Sequence, residues 1–281
     1  MAARSRSMLL ALVQLKVTGN KAENLKNAHS LIKQAADNGA KLISLPECFN
    51  SPYGTQYFAD YAEPIPGETS NTLSKIAKDL QVHLIGGSIP ETRGDKIYNT
   101  TTVFGPDGTL IGTYSKMHLF DINVPGKMVF KESEILSPGN NLFTFQVGPL
   151  KVGLGICYDM RFPELAHLYD KQGCNLLIYP GAFNMTTGPA HWHSLVTARA
   201  LDNQLYVAGC SPARDESATY VAWGHSTVVD PWGKAIASAA EKEDVIYAEI
   251  DADYVDTIRN QIPTHFQKRK DIYQVNNLLE S

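Results

Sequence analysis

The sequence has few cysteines, no excess of positive charge and no long apolar run, and each shortage excludes a class of protein. Four cysteines among 281 residues are too few for a disulfide scaffold, and no C-x-x-C pair indicates structural zinc. The formal net charge of −4 lacks the basic excess that nucleic-acid binding requires. The longest apolar runs, Met8–Val13 and Val152–Tyr158, are far shorter than the roughly 20 residues of a membrane span. We therefore expect free thiols in a reducing compartment, with neither nucleic acid nor membrane as partner.

Several familiar site motifs are also missing. The sequence contains no G-x-S-x-G nucleophile elbow, no phosphate-binding G-x-x-x-x-G-K-[ST] loop and no H-E-x-x-H. Gly153-Leu154-Gly155 begins a dinucleotide-binding pattern, but Tyr158 stands where the third glycine would be. His191-Trp192-His193 offers two imidazoles, but no carboxylate or thiol accompanies them nearby. We therefore expect neither a dinucleotide site of the Rossmann type nor a metal at these histidines.

The composition is that of a globular protein, with 43% hydrophobic and 19% charged residues. No repeat, linker or low-complexity tract divides the chain, so we expect one domain over residues 8–281 and a flexible basic tail over residues 1–7. Arg4 and Arg6 precede the first apolar run as in a leader peptide, but Gln14 and Lys16 soon interrupt that run. A first strand is the preferred interpretation. The expected location is cytoplasmic, with a mitochondrial fraction as the alternative.

Short β-rich runs alternate with helical patterns, which is typical of an α/β architecture with helices covering sheet faces. Strands are predicted at 8–17, 41–45, 82–89, 98–104, 109–115, 142–147, 151–156, 175–179, 204–210, 226–229, 234–238 and 245–250. Helices are predicted at 20–38, 68–80, 163–172, 190–202 and 251–261, with Asn20 as the first N-cap.

In α/β sheets, ligands gather beyond the carboxyl ends of strands. Glu47 follows the strand-like KLISL, Lys116 follows TLIGTYS and Cys157 follows KVGLGI. A carboxylate, an ammonium and a thiol thus each end an apolar or β-branched run, and we expect the three ends to converge at one edge of a sheet. Each residue also has an ordinary structural interpretation. Glu47 can be a loop carboxylate, Lys116 a solvated surface lysine and Cys157 a small buried apolar residue.

The three together form a chemically coherent set. A free thiol with a pKa of about 8.5 is only a few per cent thiolate at pH 7. Lys116 would lower the pKa of the Cys157 thiol, and Glu47 would accept its proton. In acyl transfer the negative charge then moves to a carbonyl oxygen, where losing one donor costs roughly 3–4 kcal/mol. Lys116 and the backbone N–H of Tyr158 are the expected donors.

At these residues the chain resembles the nitrilase, or carbon–nitrogen hydrolase, superfamily, and within it the ω-amidase branch. The resemblance covers residues 8–273, and six segments carry it: SLPECFNSPYG (44–54), YSKMHLFDINVPGK (114–127), FKESEILSPG (130–139), GLGICYDMRFPELA (153–166), YPGAFNMTTGPAHW (179–192) and YVAWGHSTVVDPWG (220–233). The resemblance implies a four-layer α-β-β-α sandwich that forms a homodimer.

The resemblance also implies roles for individual residues. Cys157 is the implied nucleophile, Glu47 the general base, Lys116 the oxyanion stabiliser and proton donor, and Glu132 an auxiliary carboxylate. No metal or cofactor is implied. Amide hydrolysis through a cysteine thioester follows from this set.

The substrate is the least determined part of the resemblance. The stretch from Cys48 to Gly54 favours short dicarboxylate monoamides such as α-ketoglutaramate and succinamate. The stretch CYDMRFPE is shared with deaminated-glutathione amidases, which leaves such larger amides open, and a non-catalytic scaffold is a third reading. Tyr53 is the implied contact to the free carboxylate, and Phe183 a candidate lining residue, although aromatic residues more often pack in the core. Arg161 is either a carboxylate clamp or a partner of Glu164.

Overall fold

The computed structural model describes residues 6–279, which form two stacked β-sheets flanked by helices. The strands are β1 (Ser7–Gln14), β2 (Leu42–Ser44), β3 (His83–Ile85), β4 (Ile89–Arg93), β5 (Lys96–Phe104), β6 (Leu110–Ser115), β7 (Asp121–Val124), β8 (Met128–Lys131), β9 (Thr144–Val147), β10 (Leu150–Leu154), β11 (Leu176–Pro180), β12 (Tyr206–Cys210), β13 (Thr227–Val229), β14 (Ala235–Ser238) and β15 (Asp244–Asp251). The helices are α1 (Lys21–Asp37), α2 (Thr55–Tyr61), α3 (Glu68–Leu80), α4 (Pro163–Lys171), α5 (Gly188–Asn203), α6 (Ala252–Gln261) and α7 (Thr264–Gln267).

The first sheet runs in the order β15-β1-β2-β3-β5-β4, with β6 also paired to β5. Strand β1 shows how its two faces are used. Leu10 and Leu12 enter the core between the sheets, whereas Ala11 and Val13 point to the outer side, where α1 and α3 pack. Because successive strand side chains point to opposite faces, an uninterrupted apolar run is required here, and Met8–Val13 provides it.

The second sheet runs in the order β14-β13-β12-β11-β10-β9, and α4 and α5 cover its outer face. Its central strands β10, β11 and β12 are parallel, and their apolar side chains are buried. Trp192 of α5 lies directly over Gly209, where an added Cβ would come within 2.6 Å of the indole. The close approach of helix and sheet therefore requires glycine at that position. With α1 and α3 on the other side, the layers are helix, sheet, sheet and helix, which confirms the predicted α/β class.

Most predicted elements are present, with boundaries shifted by a few residues. The Asn20 cap is confirmed, since its side chain accepts a hydrogen bond from the Glu23 N–H at 3.2 Å. The single strand predicted at 82–89 is wrong. It divides into β3 and β4 because Gly87 adopts a left-handed φ of 58° between them. Helix α2 and the β7–β8 hairpin were not predicted, because each segment is too short to show a periodicity.

The predicted tail at residues 1–7 extends too far into the chain. Ser7 already pairs with Asp251 in the first sheet, and the Arg6 carbonyl accepts a hydrogen bond from Ala252. Arg6 also forms an ion pair with Asp253. Residues 1–5 of the predicted tail lie outside the described residues. Between residues 6 and 279, no helix is both long and apolar enough to cross a membrane.

Candidate active site

The three residues predicted to carry out the chemistry follow strands that belong to both sheets. Glu47 lies beyond β2 and Lys116 directly after β6 in the first sheet, whereas Cys157 lies beyond β10 in the second. The expectation that one sheet edge carries all three is therefore wrong. The site forms where the carboxyl ends of strands from two stacked sheets meet. All three side chains are buried, with Lys116 completely inaccessible.

Lys116 stands between two carboxylates. Its Nζ lies 2.9 Å from Oε1 of Glu47 and 2.9 Å from Oε2 of Glu132. Glu132, which follows β8, is fully buried and also accepts a hydrogen bond from the Phe120 N–H at 2.7 Å. A buried ammonium is stable in the protein interior only when it is paired in this way. Neither the solvated-lysine nor the loop-carboxylate interpretation fits this arrangement.

The two oxygens of Glu47 have different surroundings. Oε1 accepts hydrogen bonds from Lys116 Nζ at 2.9 Å and from the side-chain amide of Asn99, also at 2.9 Å. Oε2 is buried and has no N–H or O–H donor among the described residues, and the carboxylate also interacts with the Cys157 thiol. A carboxylate oxygen without a donor is a free proton acceptor. Glu47 therefore presents one occupied and one open oxygen inside the site.

Cys157 begins a 3₁₀ turn, Cys157–Arg161, at the end of its strand. The residue has a left-handed φ of 49°, which is uncommon for a residue with a Cβ and typical of strained functional positions. The N–H of Ala182, just after β11, donates to Sγ at 3.4 Å. The turn and this N–H fix the direction of the sulfur.

Burial and charge together set the protonation states. Burial raises the pKa of the Cys157 thiol well above its usual range, and the charge of Glu47 raises it further against the opposing effect of Lys116. Burial also raises the pKa of Glu47, although Lys116 opposes that shift. For Lys116, burial disfavours the charge, but Glu132 and Glu47 hold its pKa well above the usual value. The resting site thus holds a neutral thiol, so Lys116 alone does not generate the thiolate.

Tyr53 lies in the site, but its hydroxyl is already engaged. It donates to Oε1 of Glu132 at 2.6 Å. The ring packs against Phe58, Phe130 and Tyr220 with centroids 4.5–5.6 Å apart. Because its hydroxyl proton is used by Glu132, Tyr53 is built to hold the auxiliary carboxylate in place.

Arg161, at the end of the nucleophile's turn, stacks over two aromatic rings. Its guanidinium carbon lies 4.9 Å from the ring centroid of Phe183 and 5.6 Å from that of Tyr158. Nη1 lies 3.2 Å from Nδ1 of His191. The predicted pairing with Glu164 is wrong, since Arg161 forms no ion pair with any carboxylate of residues 6–279. The guanidinium is half-buried and has no carboxylate partner among the described residues.

A cavity of about 450 Å³ leads to Glu47 from the surface. Tyr53, Ala182 and Tyr220 line its inner end, and Lys16 and Asp215 form an ion pair at its mouth with a 3.2 Å separation. This volume lies within the range of small-molecule sites.

Comparison with known proteins shows the family of the chain. The family model for carbon-nitrogen hydrolases matches residues 9–260. The chain belongs to that family. Over 271 residues it is 60% identical to the omega-amidase NIT2 of Danio rerio, covering 96% of this chain and 98% of that protein. Over 269 residues it is 58% identical to the omega-amidase NIT2 of Homo sapiens, with the same coverage.

Solved structures of the nitrilase superfamily share the fold. Saccharomyces cerevisiae Nit3, a member of branch 10 of that superfamily, superimposes with a TM-score of 0.86 at 44% identity, covering 96% of this chain and all of that one. The C. elegans NitFhit protein gives a TM-score of 0.85 at 31% identity, covering 97% of this chain and 68% of that one.

Asp159 forms a second carboxylate network in this carbon–nitrogen hydrolase, which the sequence does not predict. Asp159 is completely buried and accepts hydrogen bonds from Tyr114 Oη at 2.8 Å, His118 N at 2.9 Å and Ile156 N at 2.9 Å. The Nδ1 atom of His118 is also 2.7 Å from Asp159. Asp159 thereby ties the turn that carries Cys157 to the segment on either side of Lys116. Its place two residues after the cysteine was visible in the sequence, but its partners were not.

The histidine pair does not form a metal site. Trp192 between the two histidines is buried and donates to the His225 carbonyl at 2.7 Å, and His191 faces Arg161. In the part of the chain that the structure describes, no group of three His, Cys, Asp or Glu side chains could hold a metal ion.

Proposed function

We propose that this carbon–nitrogen hydrolase is an ω-amidase, which hydrolyses short dicarboxylate monoamides such as α-ketoglutaramate and succinamate to the dicarboxylate and ammonia. The observation that carries the proposal is the fully buried ammonium of Lys116 held between Glu47 and Glu132, since Lys116 and Glu47 both act on the pKa of the Cys157 thiol. Desolvating three ionised groups is costly, and functional sites are where such sets are found. The names of the similar proteins support the choice of ω-amides.

The first half-reaction forms a thioester. Oε2 of Glu47 takes the thiol proton as Sγ of Cys157 attacks the amide carbonyl carbon. Lys116 and the Tyr158 N–H donate to the oxyanion that develops on the carbonyl oxygen. When the tetrahedral intermediate collapses, the C–N bond breaks and Glu47 returns its proton to the leaving nitrogen, so ammonia departs.

The second half-reaction restores the thiol. Glu47 takes a proton from water, the resulting hydroxide attacks the thioester carbonyl and the C–S bond breaks. The carboxylic acid leaves and loses its proton to solvent, which gives the dicarboxylate, and Cys157 regains its proton from Glu47. Because the raised pKa of the thiol keeps the resting sulfur neutral, proton transfer to Glu47 must accompany attack in both directions.

The guanidinium of Arg161, which has no carboxylate partner among the described residues, supports recognition of a free carboxylate. Arginine binds carboxylates through two parallel hydrogen bonds, and the guanidinium carbon of Arg161 lies over the Phe183 ring, 4.9 Å from its centroid. Arg161→Gln should therefore raise KM for succinamate at least tenfold while changing kcat/KM for the uncharged butyramide less than threefold. Equal losses for both amides would contradict this role for Arg161.

The direct test of the proposed function is ammonia release from α-ketoglutaramate and succinamate. We expect Cys157→Ala to abolish release in a protein that unfolds at the wild-type temperature, with the buried Cys174→Ala variant as the matched control. Activity that survives Cys157→Ala would remove the assigned nucleophile. If the wild-type protein neither releases ammonia nor is labelled at Cys157 by an electrophilic amide analogue, the scaffold reading would be favoured.

The size of the cavity supports a second substrate class. At about 450 Å³, the space extends from Glu47 to the Lys16–Asp215 pair and has room for a longer amide such as deaminated glutathione. Comparison of kcat/KM for this amide and α-ketoglutaramate decides between them, and a clear preference for the longer amide would replace the first proposal.

We also infer that the chain forms a homodimer. Its last part, residues 262–279, leaves large apolar side chains in solvent, among them Phe266 and Ile272 at 67% exposure each. A second copy that covers this segment would remove that surface from water. Light scattering should give twice the 30.9 kDa chain mass at micromolar concentration, and a monomer would contradict the inference.

For location we keep the proposal of a reducing compartment, cytoplasmic with a mitochondrial fraction. All four cysteines are free and buried. Fractionation of cells that express the full chain with a C-terminal tag tests it, and recovery only from a secretory compartment would contradict it.

A further inference from the structure

The side chain of Asn99 makes one described hydrogen bond, and that bond goes to the general base. Asn99 lies in β5 and is buried, with its Nδ2 2.9 Å from Oε1 of Glu47. Only the amide nitrogen can face a carboxylate oxygen favourably, because that oxygen has no proton to donate. The amide oxygen of Asn99 is buried without a hydrogen-bond partner. A buried amide with half of its hydrogen-bonding capacity unused is costly, so the contact with Glu47 requires an explanation beyond packing.

The backbone of Asn99 is engaged at the same site. Its carbonyl accepts the hydrogen bond of the Lys116 N–H at 2.8 Å, just past the pairing of Thr100 with Ser115 in β5 and β6. One residue therefore holds the chain at Lys116 through its carbonyl and the side chain of Glu47 through its amide. Asn99 therefore contacts both members of the Glu47–Lys116 ion pair.

We propose that Asn99 is a positioning residue that selects which oxygen of Glu47 acts as the base. With Lys116 and Asn99 both donating to Oε1, that oxygen is occupied and Oε2 remains the open acceptor. Rotation of the carboxylate would place the open oxygen away from the substrate, and two donors on one oxygen prevent it. The inference rests on the proposed role of Glu47 as the base for amide hydrolysis.

Asn99 also affects the acidity of Glu47. A hydrogen bond donated to a carboxylate favours its charged form, so removal of the Asn99 amide should raise the pKa of Glu47. The charge on Glu47 is already influenced by every titratable group that faces it. These groups are Lys116, Glu132, Cys157, Cys48, Tyr53 and Tyr220. None of them donates from β5, so none can replace Asn99 at its position.

The test is the pH dependence of kcat/KM for succinamate, measured from pH 5 to 9. In Asn99→Ala we expect kcat at pH 7 to fall at least tenfold with KM changed less than threefold, and the acid limb to move up by about one pH unit. Asn99→Asp keeps the shape of the side chain but adds a carboxyl beside Glu47. Its acid limb should move up further than that of Asn99→Ala, because a third carboxyl then shares one ammonium.

Thr101→Val is the matched control. Thr101 lies two residues further along the same face of β5 and is buried, and its hydroxyl has no hydrogen-bond partner in the described residues. Its pH profile should coincide with the wild-type profile. If Asn99→Ala does not fold, as judged by thermal unfolding, Asn99→Asp carries the test alone.

The possible results separate the inference from its premise. A wild-type protein that releases no ammonia from succinamate contradicts the proposed function. An active wild type whose acid limb is unmoved in both Asn99 variants, with only a uniform loss of rate at all pH values, overturns the positioning role and makes Asn99 a packing residue.

Discussion

Replacement of Lys116 by methionine tests the electrostatic design of the site. Methionine is unbranched and apolar, so it fills the buried space without supplying a charge or a donor. Glu47 and Glu132 then lose the cation that both contact at 2.9 Å. Removing one partner of a buried ion pair costs about 3–5 kcal/mol, since the remaining charge is left uncompensated. We expect Lys116→Met to lower the free energy of unfolding by this amount at pH 7.

The loss should depend on pH in a defined direction. Burial already raises the pKa of Glu47, and Lys116 is the largest influence that lowers it. Without the lysine the pKa of folded Glu47 rises further above its unfolded value. The unfolded chain then releases a proton that the folded chain keeps, so stability falls by up to about 1.4 kcal/mol per pH unit as the pH rises from the unfolded pKa of about 4.5 to the raised pKa of the folded state. Well below pH 4.5 the Glu47 carboxyl is protonated in both states, and the part of the penalty that comes from Glu47 disappears.

Guanidinium unfolding at pH 4.5, 6 and 7.5 measures this, and ammonia release from succinamate measures the loss of the oxyanion donor. We expect kcat to fall by roughly 10²–10³-fold. Lys75→Met is the matched control, because Lys75 forms an exposed pair with Asp79 and its loss should change neither quantity. Equal stability losses at all three pH values, or a kcat within threefold of wild type, would refute the reasoning.

Three further predictions concern the surroundings of the site. Asp159→Asn gives the N–H groups of His118 and Ile156 a poorer acceptor in a buried network. It should lower the free energy of unfolding by about 2–4 kcal/mol. An unchanged midpoint of chemical unfolding would be inconsistent with this. Gly87→Ala places a Cβ 2.1 Å from the carbonyl oxygen of residue 46 at a left-handed φ, and should lower both the unfolding temperature and kcat by displacing the loop before Glu47; a wild-type kcat would contradict it. Because burial raises the pKa of Cys157, alkylation by iodoacetamide should be slow at pH 7 and still rising at pH 9; a plateau below pH 7 would indicate a resting thiolate instead.

The helices and most strands could be predicted because each buries one face, and the apolar residues of that face recur at a regular spacing along the chain. The pattern of Leu25, Ala28 and Ile32 predicts α1, and these residues are buried in the outer layer of the first sheet. Short elements such as α2 and the β7–β8 hairpin escaped, because two turns or four residues show no period. The partners of Asp159 and Asn99 escaped as well, since side-chain hydrogen bonds between distant segments leave no local pattern.

What the sequence by itself determined is the chemistry available: a thiol, a carboxylate and an ammonium, each at the end of an apolar run. Covalent identity limits what each group can donate or accept wherever the chain places it. Only the tertiary structure decided how the groups act together. Stacking of two sheets removes water from Lys116 and brings Glu132 to it across 16 positions of the chain. In this buried site, burial raises the pKa of the Cys157 thiol more than Lys116 lowers it, so the sulfur stays protonated. The energy of a charge depends on its surroundings in space and not on its neighbours in the sequence.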